Sequence, residues 1–193
     1  MEVRVPPFDS CILLHMKLLF FYGPPGVGKL TVARALARRT GYKIFHNHLT
    51  IDLIQSLFDW GTEPFDKFLT KYRLELMEAT AREGIKGLIF TYVYGDTVSD
   101  KTFIASVIRV VHKHNGTVLF VRLTCPERVL IQRIKHVSRR KTNKIQSVKM
   151  LKSVLRQYDL FQSVPKQRSL TIDTSMTNPG EAATIIQDHC ALS

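Results

Sequence analysis

Gly23-Pro24-Pro25-Gly26-Val27-Gly28-Lys29-Leu30-Thr31 is the stretch that decides the fold. Before it stands Met16-Lys17-Leu18-Leu19-Phe20-Phe21-Tyr22, an apolar run of buried-strand type, and after it the Ala-rich segment 29–40 has helical spacing. Strand, glycine loop and helix in that order are the setting of a Walker A phosphate loop. Glycine opens backbone angles closed to other residues. Successive N–H groups can then turn inward around a phosphate, and the following helix directs its positive end at the same point. Gly23, Pro24, Pro25, Gly26, Val27, Gly28, Lys29, Leu30 and Thr31 are therefore the expected phosphate-binding residues, with Lys29 bridging the terminal phosphates as a catalytic group. A plain Gly/Pro turn that happens to end in lysine is the alternative, and it explains neither flanking element. One position departs from the usual motif: Leu30 stands directly after the lysine, where Ser or Thr is normal, and Thr31 comes next.

Outward from the loop, short apolar runs predict strands near 17–22, 42–46, 87–94, 117–123 and 169–173. Helical spacing fills the intervals at 29–40, 50–60, 64–82, 99–114, 126–137, 146–161 and 179–190, with Gly41, Gly84 and Gly116 as stops. Regular alternation of strand and helix implies an α/β fold, a parallel sheet covered on both faces. There is no internal repeat. Residues 16–193 are expected to form one domain, and residues 1–15, with two prolines and no place in a core, read as a leader or a mis-called start.

The chain has 193 residues, 45% hydrophobic and 23% charged, a composition of a globular protein and not of a disordered one. No run reaches the roughly 20 apolar residues that a bilayer helix needs. The apolar stretch from Cys11 to Tyr22 is broken by His15 and Lys17 and leads to no cleavage site, so targeting is not expected. Cys11, Cys125 and Cys190 are odd in number and far apart, which suits thiols in a reducing cytoplasm. Net charge is +12. Between Arg128 and Arg168 stand twelve basic residues and one acid, Asp159, so one late segment carries nearly all of it. A solvated helix face usually mixes signs, and this one-sided run points to an anionic ligand.

The loop, Arg34-Ala35-Leu36-Ala37 leading to Thr40-Gly41-Tyr42, the Arg-rich stretch after Thr124-Cys125-Pro126-Glu127, and Leu170-Thr171-Ile172-Asp173-Thr174-Ser175 before Pro179 together resemble the small P-loop kinases, which include nucleoside monophosphate kinases and shikimate kinase. That resemblance runs from about Met16 to the end. It implies a three-layer P-loop NTPase fold, with a five-stranded parallel sheet in order 2-3-1-4-5 and a helical lid around 133–145. It also implies ATP and Mg2+ as cofactors. Adenylate kinases show the same displaced threonine, so Thr31 becomes the magnesium-side hydroxyl, with Asp96 as the nearest carboxylate. Arg133 takes the place of the lid arginine that packs on adenine, Arg139 or Arg140 that of one reaching the phosphates, and Thr174 opens a loop beside the base. Arginines have the right chemistry, because a transferring phosphoryl group spreads negative charge over its oxygens.

The acceptor end is less legible. His46, Asn47 and His48 follow the second strand, where open α/β sheets bind ligands, and Thr50 would cap the next helix. Either histidine could instead hold a loop. Asp52 could accept a hydroxyl proton or merely favour the helix N-terminus. Arg73 resembles the arginine with which shikimate kinases hold an acidic substrate, and could equally be an exposed arginine paired along its helix. Tyr92 and Asp96 complete the substrate-side set. Neither the Asp-x-Asp of shikimate kinases nor the Asp-Gly-Phe-Pro-Arg of adenylate kinases is present, so the acceptor stays open. Two readings follow: an ATP-dependent phosphotransferase acting on a small-molecule acceptor, or a non-catalytic nucleotide-binding ATPase, RNA-associated through its basic segment. The first is expected, as a monomer with neither membrane nor nucleic acid as partner. Segment 128–168 offers only Tyr158 and Phe161 for base stacking.

Overall fold

The computed structural model describes residues 15–135, 145 and 147–193. Five strands, β1 (Lys17–Tyr22), β2 (Lys43–His46), β3 (Gly87–Tyr92), β4 (Thr117–Thr124) and β5 (Ser169–Asp173), form one parallel sheet in the order β2-β3-β1-β4-β5. The helices are α1 (Lys29–Thr40), α2 (Asn47–Gln55), α3 (Glu63–Arg82), α4 (Val98–His112), α5 (Glu127–Ile134), α6 (Val148–Gln157) and α7 (Pro179–His189). This is the expected topology. β1 lies between β3 and β4, with Phe20 opposite Phe90 on one side and Phe120 on the other.

Alternation along β1 explains why the sheet is covered on both faces. Leu19 and Phe21 join one apolar cluster with Leu36 of α1, Leu130 of α5, Leu151 of α6 and Ile186 of α7. Leu18, Phe20 and Tyr22 join another with Met77 of α3 and Phe103, Val107 and Val111 of α4. A fully buried side chain of this size contributes about 1.5–3 kcal/mol, so a central strand apolar on both faces is the strongest fixed point of the fold. Ile51 and Ile54 of α2 pack with Phe65 and Leu69 of α3 in a separate, smaller cluster.

Several boundaries differ from expectation. α2 starts at Asn47, three residues before Thr50, whose hydroxyl donates to the Asn47 carbonyl at 3.1 Å and caps nothing. β3 closes at Tyr92, because the chain turns there towards a capping box in which Thr97 and Asp100 satisfy the first turn of α4. α5 and α6 are shorter than the helices expected at 126–137 and 146–161. Met16 is buried, and its carbonyl accepts from the Thr117 N–H at 2.8 Å, which ties the start of β1 to β4. The expectations for Arg139, Arg140, most of the lid around 133–145 and the first fourteen residues fall outside the described residues. Among the described residues no helix is long and apolar enough to cross a membrane.

Candidate active site

A cleft of about 1700 Å3 opens where the segments after β1, β2, β3 and β5 converge, beyond the carboxyl ends of those strands. The loop between β1 and α1 forms one end of it. Gly23 has φ +138°, and a Cβ there would stand 2.1 Å from the Leu123 carbonyl oxygen, so only glycine lets β1 turn against β4. Gly28 caps α1 in the left-handed region, with its carbonyl accepting from the Val32 N–H at 3.0 Å. Lys29 Nζ donates to the carbonyls of Gly23 at 2.6 Å and Pro24 at 2.9 Å, which folds the ammonium over the mouth of the loop. Pro25, Gly26, Val27, Leu30 and Thr31 line the cleft beside it.

Arg133, on the last turn of α5, closes this end. Its guanidinium donates to the Thr174 hydroxyl at 2.8 Å, to the Thr174 carbonyl at 2.7 Å and to the Val27 carbonyl at 3.2 Å. The Thr174 hydroxyl itself donates to Val27 at 2.8 Å. Phosphate loop, α5 and the loop after β5 are thus joined at one point. Cys125 lies beneath, a buried thiol whose pKa burial raises.

Arg73 marks the other end. It is 5% exposed, lines the cleft from α3, and donates from Nε to Thr50 at 3.0 Å and from Nη2 to the Asn47 side-chain oxygen. Its guanidinium carbon stands 5.9 Å from the ring centroids of Phe90, Tyr92 and Phe103. The exposed, helix-paired alternative is thereby excluded. Among the described residues Arg73 has no carboxylate partner, and burial lowers its pKa to about 10, so it stays charged at neutral pH. Ile51, Phe65 and Leu69 wall this end, and Trp60, 64% exposed, stands at its mouth with its ring 4.9 Å from Phe65.

His46, Asn47 and His48 all line the cleft, as does Tyr92. Asp52 does not: its carboxylate lies behind, 3.7 Å from His48 Nδ1. Asp96 is also outside the lining, held by the Tyr94 hydroxyl and by Lys101 at 3.1 Å, contacts that lower its pKa in that order of weight. The carboxylate that lines the cleft after β3 is Asp100, which accepts from the Tyr92 hydroxyl at 2.7 Å and from the Gly95 and Thr97 N–H groups. Burial, and then Asp100, drive the Tyr92 pKa far above the ordinary phenol range. Sequence reading did not assign Asp100, although the Thr97-x-x-Asp100 spacing is a helix-start signature. It also gave no site role to Arg34 and Trp60, which line the cleft.

For a divalent cation the donor set is sparse. Among the described residues no group of three metal-ligating side chains exists. Mg2+ takes most of its ligands from phosphates and water, so one protein oxygen suffices. Thr31 lines the cleft, where such a cation would sit, and Asp96 does not.

A family model described as an AAA domain matches residues 19–151. No curated protein matches the chain in sequence. Among solved structures, a sugar kinase from Janibacter sp. is similar with a TM-score of 0.65 and 18% identity, over 92% of this chain and 96% of that one. A shikimate kinase from Acinetobacter baumannii in complex with shikimate gives 0.58 and 20%, over 90% and 93%. The APS kinase of Mycobacterium tuberculosis in complex with AMPPNP and APS gives 0.62 and 15%, over 92% and 98%. At such identities the likeness is one of fold.

Proposed function

The chain belongs to the AAA domain family and has the fold of the small P-loop kinases, and from that premise we propose that it transfers the γ-phosphoryl group of ATP to a small acceptor bearing an anionic group. The observation that carries this is a single cleft with a phosphate loop at one end and a buried arginine without a carboxylate partner, among the described residues, at the other. A protein that only bound nucleotide would have no use for the second end.

Each residue then has a role. The loop N–H groups hold the β- and γ-phosphates, and Lys29 leaves its two carbonyls to meet the charge that develops on the transferring group. Arg133 and Thr174 form the floor under the base. Mg2+, when bound beside Thr31, neutralises phosphate charge. Arg73 takes the acceptor's anion with the donors it does not spend on Asn47 and Thr50, and the Ile51, Phe65 and Leu69 wall excludes water. The acceptor oxygen attacks the γ-phosphorus as the bond to the β-γ bridging oxygen breaks. His48, with Asp52 behind it, receives the hydroxyl proton, and ADP leaves with the electron pair.

The test is a screen of anionic hydroxyl compounds for acceptor-dependent ADP release, run alongside Lys29→Ala. Acceptor-dependent release that disappears in the variant supports the proposal. Release unchanged by the substitution would place the chemistry elsewhere.

A further inference from the structure

The basic segment is not used in one place. Arg133 turns into the cleft, whereas Lys149, Lys152 and Arg156 stand on the far side of α6, three and four residues apart and therefore on one face. The helix acts as a partition. Its inner face buries Leu151 and lends Met150 and Val154 to the active-site cleft. Its outer face, with Ser153 between the cations, lines a separate shallow groove of about 680 Å3. All three cations are exposed, and among the described residues none is in an ion pair or a side-chain hydrogen bond. The row spans about 10 Å at 1.5 Å per residue, more than one phosphate covers. Like charges at this spacing repel, so an unneutralised row destabilises the helix unless an anion lies along it.

We propose that this outer face of α6 binds the phosphate backbone of single-stranded nucleic acid, without reading its sequence. A single file of cations follows one strand. No aromatic residue stands among them to stack a base, so the contact is electrostatic. A membrane surface fits less well: Leu151 is buried, Val148, Val154 and Leu155 are half-buried, and the exposed Met150 lines the active-site cleft, so no exposed apolar side chain stands among the cations to insert into lipid. The proposal is independent of the transfer reaction, since the face lies outside the cleft.

The experiment uses the full chain and a short fluorescein-labelled RNA strand of mixed sequence, followed by anisotropy across a salt series. Wild-type protein is expected to bind at low salt. The Lys149→Gln/Lys152→Gln/Arg156→Gln variant should weaken binding at least tenfold and flatten the log-log salt slope by about 2, from about 0.7 per lost contact. Affinity for ATP should not change. Should the triple variant fold poorly, Lys152→Gln alone should flatten the slope by about 0.7. The proposal is overturned if wild type does not bind RNA, if it binds phosphatidylserine vesicles in place of RNA, or if the variants bind RNA with the wild-type slope. Loss of ATP affinity in the triple variant would also overturn it, by assigning the face to the cleft.

Discussion

Arg73 and Asp100 are linked through one tyrosine: the Tyr92 ring lies 5.9 Å from the guanidinium carbon, and its hydroxyl donates to Asp100 Oδ1 at 2.7 Å. The two buried charges share a neighbour without forming an ion pair, so the arginine keeps donors for a ligand. Arg73→Met should therefore raise KM for the acceptor by about 10–150-fold, the equivalent of a charge-assisted hydrogen bond of about 1.5–3 kcal/mol. KM for ATP should stay as in wild type. A variant that loses affinity for ATP and acceptor together would show that Arg73 supports the whole cleft and has no particular ligand.

Lys29→Ala removes a donor at the point of charge development and leaves the core untouched. Turnover should fall by at least about 10²–10³-fold, the usual loss for one such donor. The melting temperature should remain close to wild type. Steady-state ADP release and thermal unfolding of the same preparation check both halves.

Arg133→Ala severs the junction of Thr174, Val27 and α5. KM for ATP should rise, and Arg133→Lys should restore little, because one ammonium cannot reach a hydroxyl and two carbonyls in fixed directions. Isothermal titration with ATP measures it. Wild-type affinity in both variants would remove Arg133 from the nucleotide site.

Glu78 accepts from Lys113 at 2.6 Å and faces His114 at 3.3 Å, and the Lys113 bond is the main reason its pKa lies below the ordinary carboxylate range. A carboxyl whose folded pKa is depressed stabilises fully above its unfolded value, about 4.3, and loses that contribution as pH falls through the folded one. Wild type should thus exceed Glu78→Gln in stability by a small constant margin near neutrality, and the margin should close in acid. Urea unfolding of both proteins between pH 7 and 3 tests the sign.

The fold was legible because its signals are local. A glycine loop between strand and helix, buried strands apolar on both faces, and glycine stops all act within a few residues, and they set the sheet order through resemblance. Boundaries failed where a tertiary bond overruled a local preference. Thr50 looks like a cap, but Arg73, twenty-three residues on, donates to its hydroxyl, which bonds Asn47 one turn earlier. In the site, Lys29, Arg133 and Thr174 line one cleft, and the described residues carry no account of Arg139 or Arg140. Asp96 is the carboxylate nearer in sequence to the end of β3, and Asp100 is the one that lines the cleft. The chain passes through a left-handed conformation at Asp96, φ +56°, and that residue's side chain turns towards Lys101 and not into the cleft. No spacing rule contains that turn.

Trp60 is the only tryptophan of the chain, and it stands wet against Phe65 at the end of the cleft that Arg73 lines, away from the phosphate loop. Its emission is therefore that of a solvated indole belonging to a single place in the molecule. A compound that covers the ring shifts the emission to shorter wavelength, and one confined to the nucleotide end leaves it alone. The unlabelled protein can thus report by colour which half of its cleft is occupied.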